Sequence, residues 1–410
     1  MNEAARLARL PRGLAAALRP VRAAAASSNV RIALVGGAVR DLLLGRPLEG
    51  RDADVAVEGS APDLARAVAR EVPAVEARVH ERFGTATLEM GSGWRVDLAG
   101  TRRETYSHAG ALPRVEPATL EEDLSRRDFT VNAIALELGR PGRPGVLHDP
   151  FGGVEDLRRR RLRALHPASF QDDPTRAFRA VRYANRLGFS IDRRTRRWIE
   201  DAIRARAFDA VSGDRVRREL EKIFSERGWA AAVRELAALG VSRAIHPALA
   251  LDRATAAALA RAERLAAAEA EGTSVLLPLL VWSDSFSVAV RTALAQRLSL
   301  AGRARDRFLR WRDTREALAR GEAAGTSREE RLAAASLLPG RGRAAEAARR
   351  RLAAADPALS VRGSDLLRAG IPPGPRVGRA LARTREALAQ GRIAAGEELA
   401  YALAAARSEP

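Results

Sequence analysis

Apolar and polar positions change their period several times along this chain. Residues 32–35 form a short continuous apolar run that stops at Gly36-Gly37. Val39, Leu42, Leu43 and Leu44 then recur at helical spacing as far as Gly45 and Pro47. Behind Asp52-Ala53-Asp54 a second apolar run follows, Val55, Ala56 and Val57. The pattern predicts strand, glycine turn, helix, loop, strand. Residues 61–70 read as a further helix, with Ser60 as N-cap and Pro62 near its start. Residues 85–90 and 94–99 alternate around Gly91-Ser92-Gly93, a hairpin signal. Residues 101–120 lack periodicity and read as a long loop, which inside a compact domain is often functional. From about residue 166 onward strand patterning fades, and Ala, Leu and Arg predict an almost wholly helical second half.

The first unit carries candidate chemistry. Two glycines between strand and helix let the backbone approach a bulky anion, with the first helical N–H groups pointing at it. Gly37 and Arg40 are the candidates there, the arginine adding a fixed positive charge suited to phosphate. Side chains two apart on a strand share a face, so Asp52 and Asp54 can converge. Such carboxylates repel unless a cation sits between them, and Mg²⁺ takes oxygen ligands. A phosphate site beside a divalent-metal site points to phosphoryl or nucleotidyl transfer. Asp97 is either a third carboxylate beside the metals or a polar residue on a half-exposed strand. Arg126, Arg127 and Asp128 set two donors beside one acceptor, able to bind a triphosphate and ribose hydroxyls, with Asn132 one turn on to brace them.

Residues 171–192 predict a helix with Asp172 or Asp173 as cap and Pro174 in its first turn. Arg176, Arg179 and Arg182 recur every third residue along it, while Phe178, Val181 and Leu187 lie toward another face.

Composition narrows the partners. The 410 residues suffice for two to four domains, and the formal charge of +19 favours a polyanion. Lys222 is the only lysine, so coding bias explains why the cations are arginine, but not why 70 basic residues face 51 acidic ones. With no cysteine, disulfides and thiolate metal sites are excluded, and the five histidines have no metal-ligand spacing. Arginines interrupt every apolar run of the first thirty residues, and no stretch is long enough to span a bilayer. The expectation is a cytoplasmic protein.

GGAVRDLLLG followed by RDAD resembles the signature of the bacterial-type (class II) tRNA nucleotidyltransferase and poly(A) polymerase family, within the DNA polymerase β-like superfamily. RRDFTVNA is similar to its ribose-selecting motif and DDPTR to its nucleobase-reading motif. VLHDPFGGVEDL resembles the segment joining head and neck. The resemblance implies an α+β head with a mixed sheet at 31–165, after an extension at 1–30. A helical neck at 166–230 and an all-α body and tail at 231–410 would follow. It implies Mg²⁺ on Asp52 and Asp54, and the nucleotide on Gly37, Arg40, Arg127, Asp173, Arg176, Arg179 and Arg182.

The base-reading expectation has a chemical rationale. Cytosine and adenine both show an amino donor beside a ring-nitrogen acceptor, which a carboxylate (Asp173) and a guanidinium (Arg176) complement. Guanine and uracil would leave those groups facing like partners, at about 1–3 kcal/mol each. The expected activity is addition of CCA, or its terminal A, to the 3′ end of tRNA from CTP and ATP. Alternatives are a poly(A) polymerase on other RNAs and a non-catalytic RNA-binding protein. Relatives that add only CC are known for lacking the 101–120 loop. One departure stands out: the family usually has glutamate where this chain has Asp172, whose expected part is to brace Arg176.

Overall fold

The computed structural model describes residues 10–105, 114–139, 145–267, 274–322, 325–340, 342–353, 359–389, 392–394 and 396–408. They divide into two compact units, Met1–Arg215 with Ala238–Ile245, and Val216–Ala237 with His246–Pro410.

The first unit opens with helix α1 (Arg12–Ser27), which buries Leu14, Ala17, Leu18 and Val21. At about 1.5–3 kcal/mol for each large side chain taken from water, that face ties the segment to the unit. Strand β1 (Arg31–Val35) and helix α2 (Gly37–Leu43) follow, hinged at Gly36, whose φ of 70° is the left-handed conformation glycine tolerates. Strand β2 (Asp52–Glu58) leads to α3 (Ala61–Glu71), where Ser60 Oγ accepts from Asp63 N at 3.2 Å as the expected N-cap. Strands β3 (Glu76–His80), β4 (Thr85–Glu89) and β5 (Arg95–Gly100) complete this run.

Residues 101–120 are not the irregular loop their pattern suggested. Strands β6 (Arg102–Thr105) and β7 (Arg114–Pro117) pair as an antiparallel ribbon, and the expected loop's residues 106–113 lie outside the described residues. β6 is polar on both faces and the four residues of β7 carry only Val115 and Pro117 as apolar positions, too short an alternation to announce a strand. Helix α4 (Leu120–Ser125) begins at a capping box, Glu122 N donating to Thr119 Oγ1 and Thr119 N to Glu122 Oε2.

Strands β8 (Ala135–Glu137) and β9 (Val146–His148) close a seven-stranded mixed sheet of order β3-β4-β5-β2-β1-β8-β9. Within this sheet only β2 and β5 pair in parallel, setting Asp54 opposite Asp97. Helix α5 (Gly153–Arg158) and β10 (Arg161–Leu162) precede the arginine-rich segment.

The single helix expected over 171–192 is broken. Helix α6 (Ser169–Asp172) ends at Asp173, which is extended, and α7 (Arg176–Leu187) starts after Thr175. Asp173 stands at the C-cap of α6 and, with Pro174 in the turn that follows, gives the backbone ahead of α7 the side-chain bond expected of a cap. Its Oδ1 accepts from Thr175 N and Oγ1 at 3.0 and 2.6 Å, a turn closed by the side chain just ahead of the helix. Gly188, left-handed, stops α7 before β11 (Ser190–Ile191). From Arg193 onward every described element is helical. Among the described residues no helix is long and apolar enough to cross a membrane.

Candidate active site

The alternation of β2 puts Asp52 and Asp54 on the open face of the sheet while Ala53 and Val55 are buried behind it. Gly36 ends the neighbouring β1 close to both charged walls. A Cβ there would lie 3.4 Å from Arg127 Nη1 and 3.8 Å from Asp54 Oδ2. The glycine turn thus makes room where the acid pair and the first wall arginine meet.

Arg127 is held by α4. The Asp123 carboxylate accepts from Arg126 Nη2 at 2.7 Å on one oxygen and from Arg127 Nη2 at 2.9 Å on the other. Arg126 Nη1 also donates to Glu104 Oε1 of β6 at 2.8 Å. Burial alone would raise the Asp123 pKa, but Arg127 and Arg126 outweigh it and hold the carboxyl below its usual range.

Asp128 occupies the next position inward. Its Oδ1 accepts from Phe129 N and Asn132 Nδ2, both at 2.9 Å, and its Oδ2 from Arg179 Nε and Nη2 at 2.8 and 2.6 Å. Burial pushes this carboxyl up as well; Arg179, the Asn132 amide and Arg176 overcome it, and the pKa is lowered. With both oxygens so occupied, Asp128 anchors Arg179, in place of the free acceptor for ribose expected from the sequence.

Arg176 is buried and donates to Ser169 Oγ and to the Arg126 carbonyl, each at 2.8 Å. Those bonds replace the expected brace from Asp172, whose carboxylate instead lies 4.0 Å from His166 Nδ1. Asp173 adds a third acceptor bond on Oδ1, from Arg215 Nη2 at 2.9 Å.

A cavity of about 300 Å³ collects these groups: Gly36, Gly37 and Asp54 at one end, Arg127, Asp128 and Asn132 along it, and Asp173, Arg176 and Arg179 at the other. Three expected site residues are not brought to its wall. Asp52 lies two residues before Asp54 on the same open strand face, outside the cavity. Arg40 is buried, donating to Asp41 Oδ1 at 2.9 Å and Asn132 Oδ1 at 2.8 Å, so the phosphate contact expected of it is spent on bracing Asn132. Arg182 is buried with its Cζ 4.8 Å from the centre of the Tyr183 ring. Sequence reasoning missed Asp123, Glu104, Ser169, Arg215 and Tyr183; for Tyr183 the one signal was an aromatic seven residues after Arg176 on the arginine-bearing helix.

A second cavity, about 450 Å³, lies on the other side of Asp54 and reaches Asp97, His80, Thr87 and Arg95. Asp97 accepts from Thr87 Oγ1 at 2.5 Å. Burial raises the Asp54 pKa, Asp97 raises it further across the parallel pair, and Asp52 adds to this against the opposing pull of Arg127 and Arg95. Among the described residues no group of three or more His, Cys, Asp or Glu is gathered to hold a metal. The acids at Asp52 and Asp54 nevertheless fit a hard divalent cation: they are all-oxygen donors whose mutual repulsion a cation would remove.

Residues 32–163 match the model of the poly A polymerase head domain, and residues 188–252 that of a probable RNA- and SrmB-binding site of polymerase A. A CC-adding tRNA nucleotidyltransferase of Deinococcus radiodurans is 33% identical over 382 residues, 93% of this chain and 90% of that protein. The chain belongs to the class II tRNA nucleotidyltransferase and poly(A) polymerase family. Another member, an A-adding tRNA nucleotidyltransferase of Geobacter sulfurreducens, is 43% identical over 242 residues, 59% of this chain. The match spans only 27% of that relative's length. The fold is that of the family's solved structures. A Thermotoga maritima CCA-adding enzyme complexed with tRNA superposes with a TM-score of 0.74 at 27% identity, covering 97% of this chain and 96% of that one. Other CCA-adding enzyme structures of this fold are complexes with CTP or ATP.

Proposed function

We propose that this chain extends the 3′ end of tRNA with CCA from CTP and ATP, releasing pyrophosphate. The observation that carries the reading is that Asp54, Asp173 and Arg176 line one cavity. A nucleoside triphosphate lying along it would set its phosphates near Asp54 and Arg127 and its base between Asp173 and Arg176. The second cavity, which shares Asp54, would take the terminal ribose of the RNA, with Asp97 placed to orient or accept the proton of its attacking hydroxyl.

Asp52 and Asp54 would hold Mg²⁺, which when bound makes a ribose hydroxyl easier to deprotonate and neutralises charge on the leaving pyrophosphate. Gly37 and Arg127 position the phosphates, and Arg179, oriented by Asp128, lines the nucleotide's path. Arg40 and Arg182 act from behind the wall. Asp173 accepts from the amino group of cytosine or adenine while Arg176 donates to the ring nitrogen. Its bonds to Ser169 and Arg126 leave further N–H groups for that purpose. Residues 31–165 serve as head and 166–230 as neck, and the basic helices beyond 231 grip the acceptor stem through shape and phosphate.

Similarity to A-adding relatives favours one second reading, addition of the terminal A alone. The test supplies each nucleotide separately to tRNA transcripts ending before the CCA, transcripts ending in CC, and an unrelated RNA. CTP use on the first and ATP use on the second are expected. ATP use without CTP on any transcript selects the second reading. CTP use that never proceeds to A selects CC addition, extension of the unrelated RNA selects poly(A) synthesis, and RNA binding with no incorporation leaves a non-catalytic protein.

A further inference from the structure

The floor of the second cavity runs along β4 and β5, from the Thr87–Asp97 pair to the Thr85–Ala99 pair. One residue further, Gly100 N donates to Gly84 O at 3.0 Å, and both glycines line a neighbouring groove of about 310 Å³. The groove lies between the turn 81–83, the start of α3 and the root of the β6–β7 ribbon. Asp97 and Gly100 are three residues apart on one strand, or about 10 Å.

Two apolar side chains stand open on this groove. Among the described residues six large apolar side chains are exposed; Phe83, at 67%, is the most exposed, and Val115, at 50%, lines the groove with it. Gly84, left-handed at a φ of 60°, turns the chain into β4 and leaves Phe83 ahead of the strand. A ring and an aliphatic side chain open on one groove form a patch for a partner to cover.

The chemistry beside the ring narrows what that partner is. Arg82 Cζ lies 5.9 Å from the centre of the Phe83 ring, and among the described residues Arg82 has no acid partner. The two acids of the groove are both engaged, Glu81 by Arg66 and Glu116 by Arg103 at 3.1 Å. An open aromatic face beside a guanidinium suits an unstacked base and the phosphate attached to it.

We propose that this groove takes a nucleobase of the RNA strand: the base one nucleotide back from the terminal ribose stacks on Phe83, and Arg82 faces the phosphate beside it. The inference rests on the nucleotidyl-transfer reading, which puts the terminal ribose at Asp97. Every base has a stacking face, so the groove accepts whichever base precedes the end. The contact holds the end of the strand in the second cavity and leaves the incoming nucleotide untouched.

The experiment measures RNA affinity, and kcat and KM for CTP and ATP, in wild type, Phe83→Ala, Phe83→Leu and Phe83→Tyr. The RNAs are a tRNA transcript ending in CC, the same transcript with an abasic residue in place of its penultimate C, and one ending before the CCA, whose penultimate base is paired. Incorporation by wild type tests the underlying reading first; its absence would sink that reading whatever the variants do. Given an active wild type, Phe83→Ala and Phe83→Leu should bind the CC transcript about tenfold more weakly, within the range for one base stacked on one ring. Wild type should lose the same factor on the abasic transcript, where the two variants lose nothing more. Phe83→Tyr should restore binding, since stacking needs only the ring, and KM for CTP and ATP should stay near wild type in all three. A side chain this exposed can be replaced without unfolding the chain, which thermal denaturation of each variant checks. Unchanged binding of the CC transcript by folded Phe83→Ala overturns the proposal, and is what a groove for a protein partner would give. So does a further loss in the variants on the abasic transcript, or an equal loss on the transcript ending before the CCA.

Discussion

Arg215 Nη2 donates to Asp173 Oδ1 at 2.9 Å, joining the base-side carboxylate to a residue 42 positions further along the chain. Thr175 occupies the same oxygen through its N–H and hydroxyl. All three donors fall on Oδ1, so the carboxylate's orientation is fixed from one side while the group still borders the cavity. Replacing Arg215 with Ala removes the charged donor and lets the carboxylate turn. Discrimination between ATP and GTP, measured as the ratio of kcat/KM values, should fall about tenfold, the scale of one charge-assisted hydrogen bond. RNA affinity should remain within about twofold of wild type, because Arg215 acts here through Asp173.

Arg176→Ala should blur base choice more strongly. Arg176 is buried, and in the proposed function it supplies the donor that the ring nitrogens of adenine and cytosine accept and that those of guanine and uracil do not. The loss of preference should reach about 10- to 100-fold, again read as a ratio of kcat/KM values. An equal loss for all four nucleotides would contradict the role assigned to it.

Asp54→Asn separates activity from stability. The native pKa of Asp54 is raised by burial, Asp97 and Asp52, so the folded protein favours the protonated acid. Its contribution to stability is therefore intact below the unfolded value of about 4 and is lost as pH rises through the raised native value. Above that window the ionised carboxylate is a net cost, which Asn does not carry. At neutral pH without divalent metal, Asp54→Asn should have a higher Tm than wild type, with incorporation falling by at least about a thousandfold. Added Mg²⁺ should raise the wild-type Tm and narrow the gap. Thermal denaturation with and without Mg²⁺ at pH 4 and pH 7 checks both signs.

Much of this site was legible in the chain because it depends on local period. A two-residue alternation put Asp52 and Asp54 on one face, and the glycine pair marked the turn beside them. Four other residues show where local information ends. Arg40 and Arg182 carry the charge expected of nucleotide contacts, but burial of their helix positions commits them to Asn132 and to the Tyr183 ring. No spacing rule along either helix says which side will be covered. Asp173 looks like a helix cap in the string DDPTR and does bind the Thr175 N–H, but nothing local shows that Arg215 reaches the same oxygen. Asp123 fixes Arg126 and Arg127 together from within an acidic first turn, where an ordinary helix-end charge would look the same. Those four depend on contacts between elements distant in sequence or on competition within a turn.

Asp128 supplies the last prediction. Its two oxygens hold Arg179, Asn132 and the Phe129 N–H, and Arg40 reaches the same assembly through Asn132. Asp128→Asn keeps the shape but places an amide against Arg179, whose guanidinium is partly open to solvent. Breaking a buried pair by altering one partner costs about 3–5 kcal/mol, and the partial exposure of Arg179 reduces this to roughly 2 kcal/mol. The pH dependence has the opposite sign to that of Asp54. Although burial favours the acid form, Arg179 and Asn132 lower the native pKa below the unfolded one. The stabilisation is thus present above about pH 4 and is lost as pH falls through the lowered native value. Urea denaturation at pH 7 should show the destabilisation, and the same measurement near pH 3 should show a much smaller difference between variant and wild type. A difference that stayed constant between the two pH values would mean that the Asp128 carboxylate is not held by charge.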